Sequence, residues 1–191
     1  MTDPIESALL VFPGQGSQYP GMGCDLFDSF ETVRQLYEEA SDTLGYDLAR
    51  LSFEDPNHEI HLTRYTQPAL LTHAIACLRI FEEQIGQPVT PKAAAGHSLG
   101  EYSALVAAGA LSFTDALRLV SERGRLMGEL GEGEMEALPL ALEEAKALAE
   151  QHYCAVAACN LPDQTVVGGK ATDLNLLVET FSNQYPGKRS A

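Results

Sequence analysis

The stretch Ala93–Leu111, AAAGHSLGEYSALVAAGAL, runs from small apolar residues through a serine between two glycines into a helical pattern. Within it, Gly96–His97–Ser98–Leu99–Gly100 has the G-x-S-x-G form of a nucleophile elbow, a sharp strand-to-helix turn that exposes a serine hydroxyl. With glycine and serine each near ~7 % of residues, that spacing arises by chance in about one chain in fifteen of this length. Its context carries more weight. A strand is expected at about 92–96 and a helix over 99–108, and the glycines permit the tight turn between them. The helix would aim its first N–H groups at the serine, where an oxyanion forms. The plainer alternative is an ordinary glycine-rich turn. A working elbow also needs a base for the serine proton, so the rest of the chain is read with that in mind.

The chain has 191 residues, enough for one ordinary domain or for one domain plus a small subdomain. Its 45 % hydrophobic and 20 % charged residues are a globular composition with enough apolar mass for a core. The formal net charge is −15, from 27 acidic against 12 basic residues. That argues against non-specific nucleic-acid binding and against docking on an anionic membrane. Any anionic substrate must then be met by locally placed cations. Cys24, Cys77, Cys154 and Cys159 form no C-x-x-C pair and no zinc-like spacing with histidine, so free, mostly buried thiols and no metal site are expected. MTDPIESALLVF is too acidic and its apolar run too short for a signal peptide, and no stretch approaches a membrane span. A cytoplasmic location follows.

Ala8–Phe12 reads as a buried strand that breaks at Pro13–Gly14 into the loop PGQGSQYPGMG. A helix is expected over about 28–44, with Phe30, Val33, Leu36, Tyr37 and Ala40 on one side, then a polar loop over 52–66 and a helix over 67–84. Ser112 is a good N-cap, with Asp115 completing a capping-box-like pattern, for a helix that reaches about Leu130. From there the texture changes. Strand 135–140, helix 142–152, strand 154–159, strand 165–168 and helix 171–185 precede KRSA, where a last strand is expected to start. This β-α-β-β-α order is most of a ferredoxin-like unit. The domains are therefore placed at 1–130 and 131–191.

On the helix after Ser112, the residues Ala116, Val120, Arg123 and Met127 share the apolar face. Arg118, Glu122 and Arg125 lie on another face, at separations that suit exposed ion pairs. Arg123 is thus read as pointing inward, where a guanidinium is costly unless an anion meets it. A structural salt bridge and a carboxylate-binding arginine facing the elbow both satisfy that requirement. The loop PGQGSQ (13–18) matches neither phosphate-binding glycine pattern. It is either a simple polar loop or the source of a second oxyanion donor.

FPGQGSQ (12–18), GMG (21–23), TQPAL (66–70), GHSLGEY (96–102) and the V-x-x-R-G-x-x-M pattern of VSERGRLM (120–127) together resemble the malonyl-CoA:acyl carrier protein transacylase family. That family includes the acyltransferase domains of fatty acid and polyketide synthases. The resemblance implies an α/β fold: an α/β-hydrolase-like core, here incomplete, carrying a ferredoxin-like α+β subdomain. It implies an acyltransferase that moves a malonyl group from malonyl-CoA to the phosphopantetheine thiol of an acyl carrier protein through an acyl-serine. The coenzyme A thioester is then a substrate, and no bound cofactor is needed. Ser98 would be the nucleophile, and the backbone N–H groups of Gln15 and Leu99 the oxyanion hole. Arg123 would pair with the malonyl carboxylate, while Gln67, His97 and Asn160 would line the substrate pocket.

The family's base is a histidine beyond the subdomain, and this chain ends at Ala191, before it, so a C-terminally truncated enzyme is expected. None of the five histidines present is a good substitute. His97 is adjacent to Ser98, but neighbouring side chains at a sharp turn diverge, and a base needs roughly 2.6–3.2 Å contact. His73 reads as a half-buried helix residue, His58 and His61 as loop residues, and His152 as lying near a helix end. Two other readings follow: an acyl hydrolase that clears carrier proteins, against which Arg123 argues, and a non-catalytic remnant that binds a carrier protein.

Overall fold

The computed structural model describes residues 8–190, which form an α/β structure. The described residues divide between Leu130 and Gly131 into two compact units.

In the first unit, β1 (Leu9–Phe12) pairs in parallel with β2 (Ala93–Gly96), Leu9 lying opposite Ala93 and Phe12 opposite Gly96. A parallel pair needs a long crossover, and here four helices supply it. They are α1 (Cys24–Ser29), α2 (Glu31–Leu44), α3 (Leu48–Phe53) and α4 (Thr63–Ile85). After β2 come α5 (Gly100–Ala107) and α6 (Phe113–Leu130). Val33, Leu36, Tyr37 and Ala40 are buried along α2, as their spacing predicts. They join Leu71 and Ile75 of α4 and Ala116, Leu117 and Val120 of α6 in one core. The cap of α6 also forms as read: Ser112 Oγ accepts the Asp115 N–H at 3.1 Å and donates to the Asp115 carboxylate at 2.7 Å.

Three boundaries differ from the expectation. The helix read from residue 28 is broken at Phe30, whose extended backbone (φ −125°, ψ 124°) separates α1 from α2. The loop expected over 52–66 starts later, because α3 runs through Phe53; the N-terminus of that helix is fixed by the Asp47 side chain accepting the Arg50 N–H at 2.8 Å. And α4 starts at Thr63 rather than at residue 67, so that Pro68 lies inside it. Only one intrahelical bond is lost there, because proline lacks the N–H that would reach back four residues.

In the second unit, β3 (Glu134–Leu138), α7 (Leu142–Gln151), β4 (Ala155–Leu161), β5 (Gln164–Gly169) and α8 (Ala171–Gln184) follow the β-α-β-β-α order. The sheet is antiparallel with strand order β3-β5-β4. Leu138 and Val167 of the sheet, Leu148 of α7 and Leu177 and Phe181 of α8 build a separate core. The strand expected at KRSA does not form over 188–190, which are irregular, and Ala191 lies outside the described residues. Lys188 instead donates to the Pro139 carbonyl at 2.9 Å.

The four thiols are free, but only Cys154 is buried, and Cys77 and Cys159 are exposed. The expectation of mostly buried thiols rested on the usual burial of free cysteine; Cys77 lies on the exposed side of α4 and Cys159 at an exposed position of the second unit. Among the described residues, no helix is long and apolar enough to cross a membrane, and no group of three or more His, Cys, Asp or Glu is placed to hold a metal ion.

Candidate active site

Ser98 stands between β2 and α5 with φ of +52°, a left-handed conformation that costs a side-chain-bearing residue about 1–2 kcal/mol. The surrounding packing enforces it. A Cβ on Gly96 would run into the backbone of Gly100 and Glu101, and one on Gly100 would collide with the Phe12 carbonyl. His97 donates its N–H to the same Phe12 carbonyl at 3.1 Å, which ties the elbow to the end of β1. The strand, turn and helix of the G-x-S-x-G expectation are therefore all present.

Beyond Ser98 the chain turns directly into helix. The Gly100 N–H bonds the His97 carbonyl at 2.9 Å, and Glu101 N–H bonds the Ser98 carbonyl at 3.1 Å. Leu99 is buried by its side chain, while Ser98 and His97 are exposed. Gly14 presses against His97, since a Cβ there would lie 2.6 Å from the His97 carbonyl oxygen. Loop 13–18 thus lies against the elbow. Its Gln15 side chain donates to Thr63 Oγ1 at 3.2 Å, and Ser17 Oγ donates to the Gly14 carbonyl at 2.9 Å.

Arg123, carried on α6, donates from Nη2 to Ser98 Oγ at 2.8 Å. Its guanidinium carbon lies 5.9 Å from the centre of the Tyr102 ring. The expected face of α6 needs correction, because Ala116 and Val120 are buried whereas Arg123 is half-buried and Met127 exposed. The helix turns Gly124, not Arg123, into its contact with α4. The arginine flanks the core and reaches the elbow along its rim. No carboxylate forms an ion pair with it among the described residues, whereas Arg125 pairs with Glu122 and Glu129 and Arg118 with Asp115. Pairing with Arg125 holds the Glu122 carboxyl below its usual range.

Gln67 is fully buried in α4; its Nε2 meets Met127 Sδ at 3.4 Å, and its Oε1 has no hydrogen-bond partner. Asn160 belongs to the second unit, on β4, where its Nδ2 donates to Gln164 Oε1 at 3.3 Å. His61 contacts Gln18 at 3.3 Å, and His73 contacts Cys77 Sγ at 3.6 Å, so both are engaged away from Ser98. Burial lowers the pKa of His73. The elements that sequence reasoning missed are the Gln15–Thr63 link and the Gly124 contact. A glycine four residues before another glycine on α6 was the available signal for the second.

An exposed serine held in a strained turn, with helix N–H groups behind it and a guanidinium on its oxygen, suits acyl transfer through a covalent serine ester. Comparisons with known proteins identify the family. A family model described as acyl transferase domain matches residues 9–190. The malonyl CoA-acyl carrier protein transacylase of Bacillus subtilis (strain 168) is 45% identical over 178 residues, covering 88% of this chain and 55% of the relative. That of Escherichia coli (strain K12) is 44% identical over 168 residues, covering 83% and 53%. The chain thus spans about half the length of the curated relatives it matches.

Solved structures give the same picture. An acyl-carrier-protein-S-malonyltransferase from Bartonella henselae superposes with a TM-score of 0.89 at 39% identity, over 97% of this chain and 62% of that one. A malonyl-transacylase solved in complex with its type II polyketide synthase acyl-carrier protein gives 0.87 at 38% identity, over 96% and 61%. On the match over residues 9–190, the chain belongs to the acyl transferase domain family.

Proposed function

We propose that this chain carries the acyl-serine half of an enzyme that moves malonyl groups from malonyl-CoA to the phosphopantetheine thiol of an acyl carrier protein. The single observation that carries this reading is the 2.8 Å hydrogen bond from Arg123 to Ser98 Oγ. In a malonyl thioester, one methylene separates the free carboxylate from the reacting carbonyl. A guanidinium that already touches the nucleophile is therefore within reach of that carboxylate, with the planar donors that a bidentate pair needs. An acyl hydrolase acting on uncharged chains gives such a cation no partner.

Ser98 Oγ attacks the thioester carbonyl as its proton passes to a base, which the family resemblance supplies from a histidine outside this chain; the C–S bond breaks as the tetrahedral intermediate collapses, and coenzyme A leaves as the thiol with that proton. The backbone N–H groups of Leu99, at the head of α5, and of Gln15, in the loop against the elbow, receive the oxyanion. A second thiol, on the carrier protein, then attacks the serine ester and regenerates Ser98. Arginine keeps its protons, so Arg123 cannot take the Ser98 proton and its role is recognition. Gln67, with its unpartnered buried oxygen, and His97 contribute to the wall of the acyl pocket.

The parallel β1–β2 pair with its elbow supports reading residues 1–130 as part of an α/β-hydrolase-like core. The strand order β3-β5-β4 supports a ferredoxin-like subdomain over 131–191. Free thiols fit a reducing, cytoplasmic setting. The decisive experiment is incubation of a full-length version, which includes the base histidine, with labelled malonyl-CoA, followed by peptide mapping. Label is expected on the peptide that holds Ser98 and absent from Ser98→Ala. Equal labelling of Ser98→Ala would falsify the assignment of the nucleophile.

A further inference from the structure

Loop 13–18 carries two neighbouring backbone N–H groups with opposite fates. Among the described residues, no acceptor takes the N–H of Gln15, just as none takes that of Leu99. The N–H of Gly16 is engaged instead, donating to Gln18 Oε1 at 2.8 Å. Gly16 itself, at φ +109° and with open space where a Cβ would stand, offers no steric resistance to rotation of the loop. Whatever keeps the Gln15 N–H in a fixed direction must therefore come from side chains.

The Gln18 amide has two ends, and both are used. Because the Gly16 N–H is a donor, the atom that meets it is the amide oxygen. The amide nitrogen then faces the other way, 3.3 Å from His61 Nδ1. It donates there, so Nδ1 is the acceptor and the imidazole proton sits on Nε2. Turning the amide over would set donor against donor at Gly16, so one orientation alone satisfies both partners. A second strut runs beside the first, from Gln15 Nε2 to Thr63 Oγ1 at 3.2 Å. Both end on residues 61–63, where α4 begins. Gln15 is thus held from two sides: its side chain by Thr63, and its following peptide by Gln18.

Resting on the acyl-serine reading given above, we propose that Gln18 is a positioning residue for that reaction. Its amide, braced by His61, fixes the peptide after Gln15 and so aims the Gln15 N–H at the place where the oxyanion forms. Gln18 acts through Gln15 and does not touch the reacting atoms. The full negative charge on that oxygen exists in the tetrahedral intermediate and not in the bound thioester, so the effect falls on the rate and not on binding. A Gln18 that only stiffens a surface loop would change stability and leave that division untouched.

The test compares Ser98 acylation by labelled malonyl-CoA in the full-length version, with its base histidine, for Gln18→Ala, His61→Leu and His61→Gln. Gln18 is half-buried and His61 exposed, so neither substitution opens the core. Removing an oxyanion donor outright costs about 100-fold or more in rate, and misdirecting one in Gln18→Ala is expected to cost about tenfold at saturating malonyl-CoA. The half-saturating concentration should change by less than about twofold. His61→Leu should lose about threefold in the same way, whereas His61→Gln, which offers a carbonyl to the Gln18 nitrogen, should restore the rate. In the 191-residue chain itself, exchange of the Gly16 amide should quicken by about tenfold in Gln18→Ala. Faster Gly16 exchange with an unchanged acylation rate overturns the proposal. So does a loss that appears in the half-saturating concentration, or a His61→Gln variant no better than His61→Leu. An unlabelled wild type overturns the acyl-serine reading itself, and the proposal falls with it.

Discussion

Gly124 of α6 lies so close to the start of α4 that a Cβ on it would stand 2.7 Å from the Thr63 carbonyl oxygen. The residue before it is Arg123, and the Thr63 side chain holds Gln15. One close approach of two helices therefore sets the spacing between the cation and the loop that flank Ser98. Gly124→Ala gains up to about 1 kcal/mol of helix propensity but must push backbone away from backbone, which costs about 1–3 kcal/mol. A lower melting temperature is expected for G124A, together with reduced malonyl labelling of Ser98. Gly128→Ala, with open space at its Cβ, is expected to raise the melting temperature instead.

On the proposed function, Arg123 selects the acyl group. A charge-assisted hydrogen bond contributes about 1.5–3 kcal/mol, so Arg123→Ala should lower malonyl labelling of Ser98 by about 10- to 100-fold. Acetyl labelling from acetyl-CoA should change little. Arg123→Lys keeps the charge but not the planar fork, and should fall between the two. Equal losses for both acyl groups would mean that the arginine acts on the serine itself rather than on the acyl carboxylate.

The conformation of Ser98 gives a separable stability effect. Its φ of +52° is one that glycine adopts at little cost and alanine does not. Ser98→Gly and Ser98→Ala should both lose the acyl-enzyme. In denaturant titrations the glycine variant should nonetheless be more stable than the alanine variant by about 1 kcal/mol. Identical midpoints would show that the elbow carries no strain at this residue.

His73 predicts a pH dependence. Burial is the main cause of its lowered pKa, opposed by the negative charge of Asp25, and its Nδ1 has no hydrogen-bond partner. The unfolded chain therefore binds this proton more readily than the folded one. Stability tied to His73 is fully present above the ordinary histidine value of about 6.5 and declines as the pH falls from there toward the lowered value. The urea midpoint of the wild type should drop between pH 7 and pH 5.5, and His73→Leu should flatten that slope. An unchanged slope in the variant assigns the dependence to other groups.

Much of this architecture is legible in the residues themselves. The elbow could be read because its glycines answer a local steric demand that Gly96, Gly100 and Phe12 meet within one turn of chain. The core face of α2 could be read because fourteen residues give the 3.6-residue period room to show. The six-residue α1 and α3 could not, since one and a half turns carry no period and their ends are set by Phe30 and by the Asp47 cap. Spacing points Arg123 inward, whereas the structure has it half-buried, with Nη2 2.8 Å from Ser98 Oγ. Spacing fixes a direction around a helix axis, whereas depth depends on which neighbour the helix leans on, and here that neighbour is reached through Gly124. The Gln15–Thr63 link joins residues 48 positions apart and leaves no local trace.

The elbow has no room for a methyl group at Gly96 or Gly100, so its shape is closed to gradual change. Arg123 sits on a different element, among α6 neighbours such as Leu126 and Met127 that face outward. On the proposed function, reactivity and acyl choice are thus carried by separate parts of the chain. Substitutions along α6 would then change the acyl group accepted while leaving the serine turn intact.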